Sequence, residues 1–210
     1  MSPTLARRER HDLCDLALEL GPDAPTLTGD WVARELLAHL FVREHRPLAA
    51  AGIAVPPLAR LTDRAMDRAG RRDYRQLVAK VREPGLTPFA LRPVEVLANT
   101  LEYLVHHEDL RRAQPDWTPR ALAPDDLDAV WRSIRQAGRG LARPAGVPLS
   151  IRRSDTDETA TLRGGEPSVV VSGPVVELVL FLFGRDQWRD LVFEGRDELV
   201  AKVREADLGM

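Results

Sequence analysis

The stretch NTLEYLVHHEDLRR, residues 99–112, decides the fold of this chain. It contains no Gly or Pro, and it extends a leucine pattern that begins after Pro93. Leu97, Leu101 and Leu104 recur at steps of four and three residues, which is the spacing of the buried side of an amphipathic helix. We therefore predict one helix through this stretch, with its charged residues distributed around an apolar stripe.

The predicted helix carries a pair of side chains that could bind a metal ion. Glu102 and His106 are four residues apart, so their side chains lie one turn above the other on the same face. A carboxylate oxygen and an imidazole nitrogen are ligands that Zn²⁺ and similar divalent metals accept together. His107 points about 100° away from His106 on a helix, so spacing favours His106. The simpler alternative is a Glu–His contact on the helix surface.

The third predicted ligand is His39, in the segment WVARELLAHL, residues 31–40. This segment has the same helical periodicity and also places a single histidine among leucines. His39, Glu102 and His106 together would form a set of two histidines and one carboxylate, with room left for water or substrate.

Bulk composition restricts the class of protein. The 210 residues are 44% hydrophobic and 30% charged, with a net charge of −2, so we expect a folded chain and no nucleic-acid partner. The single cysteine, Cys14, rules out an intramolecular disulfide framework and fits a reducing compartment. No apolar run has the character of a signal peptide or the length of a membrane span. We therefore expect a cytoplasmic protein without a membrane partner.

Helical patterns occupy the first two thirds of the chain, and strand patterns appear after Pro144. The predicted helices cover residues 3–20, 31–51, 61–82 with a break near Gly70, 94–112 and 124–138. The pattern then alternates with period two over residues 147–153 and 159–163, which predicts a hairpin. A strand at 168–172, an apolar helix at 175–183, a strand at 190–195 and a helix at 196–206 follow.

These patterns predict a mainly α protein with two domains. Residues 1–143 would form an antiparallel four-helix bundle that carries the metal site, and residues 144–210 a small α+β unit.

The order of three motifs resembles a known family. Trp31 precedes His39 by eight residues, a Glu-xxx-His helix follows, and VSGPVVELVLFLFGR closes the series at residues 171–185. Together they resemble the DinB-like metal-binding bundles, and more specifically the mycothiol-dependent maleylpyruvate isomerase-like family. The resemblance covers both halves of the chain and is closest to the actinobacterial relatives of the isomerase.

The resemblance implies a four-helix bundle with one divalent metal, usually zinc, held by His39, Glu102 and His106. It also implies thiol chemistry, with mycothiol as the thiol cosubstrate: a metal-bound thiolate would attack a small electrophile, in a transferase or isomerase reaction. Nearby arginines would hold an acidic small-molecule substrate through forked hydrogen bonds. The residues available for this are Arg43, Arg46, Arg152 and Arg185.

Two other functions remain open at this point. The metal could hold together a binding module that has no catalytic activity, or it could generate hydroxide for hydrolysis. The chain could be a monomer or a homodimer. Next to the predicted ligands, we expect Glu108 to face solvent, and either Glu108 or Asp109 could instead orient a ligand imidazole.

Overall fold

The computed structural model describes residues 3–54, 56–83, 85 and 87–209. The chain forms two compact units, Met1–Thr118 and Pro119–Met210. The first unit is an antiparallel helical bundle and the second is a small α+β unit, as predicted. The observed division precedes the helix at residues 124–141 and so places it in the second unit. The predicted boundary, after residue 143, places the same helix in the first unit.

Among the described residues, six α-helices build the first unit. They are α1 (Leu5–Leu20), α2 (Ala33–His45), α3 (Pro47–Ala54), α4 (Ala59–Gly70), α5 (Tyr74–Arg82) and α6 (Arg92–Arg112). Helix α6 packs along α1, and α5 packs against both α1 and α2. The leucines at 13, 36, 37, 40 and 77, all fully buried, fill the space between these helices.

Two of the predicted helical stretches are each divided into two helices. The predicted helix 31–51 is α2 followed by α3, because Pro47 disfavours helical backbone at the preceding Arg46. The predicted break near Gly70 is present between α4 and α5, where the Asp73 side chain accepts a hydrogen bond from the Gln76 N–H at 3.0 Å and so caps α5.

A loop of residues 21–32 places α2 beside α6. The Leu27 N–H donates to the carbonyl oxygen of Asp109 at 3.1 Å. The Glu35 side chain accepts from the Val32 N–H at 3.1 Å at the start of α2. These bonds fix the beginning of the helix that carries His39.

The second unit is a four-stranded sheet with three helices. Its elements are α7 (Pro124–Leu141), β1 (Leu149–Arg153), β2 (Thr159–Arg163), β3 (Val169–Gly173), α8 (Val175–Leu182), β4 (Val192–Glu194) and α9 (Asp197–Glu205). The strand order is β2-β1-β3-β4, with β1 parallel to β3 and the other pairs antiparallel. Helix α7 packs against α8 and β2, so it belongs to this unit.

Within the part of the chain that the structure describes, no helix is both long enough and apolar enough to cross a membrane.

Candidate metal centre

Helices α2 and α6 bring the three predicted ligands together. The distance from His39 Nε2 to Glu102 Oε1 is 3.2 Å, and that from His106 Nε2 to the same oxygen is 3.5 Å. One ligand atom from each residue lies within 4.8 Å of the other two. The two imidazole rings meet edge to face, with centroids 5.2 Å apart.

The two separations from Glu102 Oε1 are compatible with a single metal ion. Zinc bonds to nitrogen and oxygen are about 2.0–2.1 Å long, so a tetrahedral ion separates its ligand atoms by about 3.4 Å. The measured separations of 3.2 and 3.5 Å from Glu102 Oε1 agree with that value. The donor set, two neutral imidazole nitrogens and a carboxylate, suits zinc and its neighbours in the first transition row.

Asp109 orients the imidazole of His106. Its Oδ2 lies 3.0 Å from His106 Nδ1 and accepts a hydrogen bond from Thr28 Oγ1 at 2.8 Å. A carboxylate can only accept here, so it favours the proton on Nδ1. The Nε2 atom then faces His39 and Glu102 and offers a lone pair there once its own proton is lost. Asp109 is fully buried. Of the two acids considered from the sequence, Asp109 therefore holds the orienting position.

Arg43 fixes the carboxylate of Glu102. Its Nε lies 3.2 Å from Glu102 Oε1, and its two terminal nitrogens donate at 2.7 Å to Asn99 Oδ1 and to the carbonyl oxygen of Ala98. The guanidinium is thus engaged on three sides by α6. Its predicted role as a substrate ligand stays a prediction, and its visible role is to position Glu102.

Asn99 connects this centre to a second carboxylate, Glu44. The Asn99 amide accepts from Arg43 and donates from Nδ2 to Glu44 Oε1 at 3.0 Å. Glu44 also accepts two bonds from the Arg10 guanidinium, at 2.7 and 2.8 Å, and one from Tyr103 Oη at 3.0 Å. The Arg10 guanidinium lies 4.2 Å from the Tyr103 ring centroid.

The charges at the centre follow from burial and from these partners. Burial alone would raise the pKa of Glu102, but Arg43 and the two imidazoles outweigh it and hold that pKa well below its usual range. Burial lowers the pKa of His39. Burial also disfavours the charged form of His106, but the bonds to Asp109 and Glu102 prevail and raise its pKa to about 9. A metal ion would therefore bind an ionised Glu102 and displace a proton from His106.

The three side chains keep a small exposed surface. Their exposed fractions are 12% for His39, 18% for Glu102 and 10% for His106. Trp31, the aromatic residue of the predicted motif, covers one side of His39, with ring centroids 5.2 Å apart. The centre is therefore largely shielded and keeps a small area in contact with solvent.

The other three arginines predicted to bind substrate contact groups other than the three candidate ligands. Arg46 follows the last residue of α2 and lines a cavity of about 660 Å³ whose lining does not include the three ligands. In the second unit, Arg152 pairs with Glu194 at 2.5 Å and donates to Ser172 Oγ at 3.1 Å. Arg185 donates to the carbonyl oxygen of Phe183 at 2.7 Å. Substrate binding by these residues stays a prediction.

The residues beside the ligands differ partly from expectation. Glu108 is fully buried and pairs with Arg112 at 2.5 Å, so the expectation that it faces solvent is wrong. The four-residue spacing of this pair was visible in the sequence. His107 lies on another side of α6 from His106, as predicted, and its Nδ1 is 2.7 Å from Glu9 Oε2 of α1.

Comparison with known proteins gives one useful match. No protein-family model and no curated protein matches the chain. The solved structure of the mycothiol-dependent maleylpyruvate isomerase matches with a TM-score of 0.58 and 16% identity, over 90% of each chain. At this identity the match shows the fold. The chain therefore has the fold of that isomerase: a DinB-like helical bundle followed by a small α+β unit.

Proposed function

We propose that His39, Glu102 and His106 bind one divalent metal ion, zinc in the first instance. The observation that carries this proposal is the separation of 3.2 and 3.5 Å between the imidazole nitrogens and one carboxylate oxygen. The orientation of His106 by Asp109 supports it further, because that bond directs Nε2 to the shared position.

We further propose that the centre serves a thiol-dependent transferase or isomerase, with mycothiol as the thiol. The fold shared with the mycothiol-dependent maleylpyruvate isomerase supports this class. When bound, a divalent metal favours the thiolate form of a thiol over the neutral form. The thiolate is the form that attacks small electrophiles. Membership of the actinobacterial branch and a cytoplasmic location are part of the same proposal.

The protein's own residues would prepare this chemistry by position and charge. Arg43 holds the Glu102 carboxylate ionised and in place, and Asp109 holds the proton on Nδ1 of His106. Trp31 shields His39 from one side and so lowers the local polarity. With only three protein ligands, the metal would keep a position for a small molecule, as catalytic zinc sites do.

Metal content is the first test. Elemental analysis of the purified chain should give about one zinc or similar ion per chain, and a His39→Ala/His106→Ala variant should contain none. His11→Ala is the matched control, because His11 is a partly exposed histidine outside the proposed ligand set, with its Nε2 3.8 Å from Glu83 Oε1. A wild-type chain that stays free of metal after incubation with zinc would contradict the proposal.

The second test separates the thiol-dependent enzyme from its alternatives. The metal-loaded protein is incubated with small electrophiles in the presence and absence of mycothiol. Turnover that requires the thiol supports the proposed class. Turnover without thiol indicates metal-assisted hydrolysis, and metal binding without turnover indicates a binding module.

A further inference from the structure

A cavity in the first unit, separate from the metal centre, combines an apolar base with a rim of arginines. Its volume is about 660 Å³, within the range of about 300–1,000 Å³ that is usual for small-molecule sites. Helices α2, α3 and α4 form its walls. Its buried base includes Phe41, Ala49 and Ala69, and its exposed rim includes Arg46, Arg64 and Arg68.

The side chains of the rim arginines are unpaired within the described part of the chain. The guanidinium groups of Arg46, Arg64 and Arg68 make no hydrogen bond or ion pair with any residue that the structure describes. Arg64 and Arg68 are four residues apart on α4, and like charges at this spacing repel each other. Arg72 continues the row, with its guanidinium 4.8 Å from the Phe41 ring centroid. A bound anion would relieve this repulsion.

Helix α4 separates its charges by sign. Asp63 and Asp67 line a different cavity, of about 550 Å³, together with Trp31 and Glu35. No acidic residue is among the described residues that line the arginine-rimmed cavity. The arginines therefore face this cavity without the carboxylates that neutralise most surface arginines.

Large apolar side chains are exposed at the same place. Leu48 and Leu61, which line the cavity, have exposed fractions of 82% and 45%. A ligand that covers exposed apolar surface beside a concave site binds more tightly, because that surface is removed from water. An inorganic anion would use the arginines and leave this surface in contact with water.

We propose that this cavity binds a small organic carboxylate with an apolar body. The carboxylate would accept forked hydrogen bonds from Arg64 and Arg68, and the apolar body would cover Leu61 and the buried base. The site is independent of the metal, because the cavity is not lined by His39, Glu102 or His106. It therefore goes beyond the function proposed above.

Titration calorimetry with octanoate, at low salt, tests the proposal on the full chain. Octanoate should bind, 1-octanol should bind clearly less well, and added salt should weaken octanoate binding. The Arg64→Gln/Arg68→Gln variant should lose about tenfold or more in affinity, because it removes both charged donors that would bind the carboxylate. These exposed side chains have no described partner, so the variant should fold like the wild type, which thermal unfolding checks.

Arg71→Gln/Arg75→Gln is the matched control. It removes the same charge from a neighbouring surface, and Arg71 lines the other cavity. Octanoate affinity should stay unchanged in this control and in the His39→Ala/His106→Ala variant. The proposal is overturned if 1-octanol binds as tightly as octanoate, or if the control loses as much affinity as the test variant. It is also overturned if octanoate does not bind to the wild-type chain.

Discussion

Two glutamates of the bundle, Glu44 and Glu102, each pair with an arginine but differ in their other partners. Glu44 is surrounded by groups that can only donate in this setting: the Arg10 guanidinium, the Asn99 amide and the Tyr103 hydroxyl. Its side chain is 1% exposed. Glu102 shares one oxygen with two imidazoles and Arg43, and 18% of its side chain is exposed.

The difference separates a structural carboxylate from a candidate ligand. Glu44 accepts four hydrogen bonds from protein donors, as many as a carboxylate has lone-pair sites, so little acceptor capacity remains for a metal ion. Around Glu102, the imidazole nitrogens that face the carboxylate can change from hydrogen-bond donors to metal ligands when they lose a proton. A buried acid alone therefore does not indicate a metal site, whereas an acid that faces other lone-pair donors does.

The largest expected effect comes from breaking the Glu44 cluster. Arg10→Met should lower the free energy of unfolding by about 3–5 kcal/mol, because it leaves the Glu44 charge buried without its cation. Urea denaturation in the presence of a chelator measures this loss. His39→Ala under the same conditions should cost clearly less, and equal losses would mean that the two clusters do not differ in role.

A single substitution at the other glutamate should remove metal binding and leave the fold intact. Glu102→Gln keeps the volume and replaces an anionic ligand with a neutral amide. Removing an outer partner of a metal ligand already costs about 10–100-fold in affinity, so we expect more than about 100-fold here. Competition with a chromophoric chelator measures the affinity for zinc. Unchanged affinity would show that Glu102 is not a ligand.

Asp109→Asn tests the orientation of His106 with a smaller change. The amide no longer favours the proton on Nδ1, so zinc affinity should fall by about 10–100-fold. The chelator competition used for Glu102→Gln gives the value, and His11→Ala serves as the control. A loss of stability with unchanged zinc affinity would reduce Asp109 to a purely structural role.

The smallest expected effect comes from trimming one donor of Glu44. Tyr103→Phe removes one hydrogen bond to the Glu44 carboxylate, which retains its other donors. The free energy of unfolding should therefore fall by about 1.5 kcal/mol, the lower end of the range for hydrogen bonds to charged groups. Zinc affinity should not change, because Tyr103 contacts Glu44 and not Glu102. A marked fall in zinc affinity would show that the two clusters act as one.

The sequence predicted the fold class well because helical periodicity and proline positions are local signals. Glu102 and His106 were found from a spacing of four residues within one helix. The Glu44 cluster was not found, since Arg10 is separated from Glu44 by 34 residues and from Tyr103 by more. The pairing of His107 with Glu9 spans 98 residues and was missed for the same reason.

The position of α7 shows a different limit. Its apolar stripe predicts a helix correctly, but a stripe does not tell which unit covers it. Buried Val130, Trp131 and Ile134 lie on this stripe, and the helix packs on α8 and β2 of the second unit. Tertiary contacts therefore placed the division of the chain at Thr118.

Asn99 limits how the chain can vary. Arg43 can only donate a hydrogen bond and Glu44 can only accept one, so the residue between them needs an acceptor and a donor side by side. Aspartate offers two acceptors and would place a second negative charge against Glu44, and leucine offers neither group. A redesigned or diverging version of this protein could exchange core leucines for other apolar residues, but the side chain at this position must accept from Arg43 and donate to Glu44 at the same time, as the Asn99 amide does.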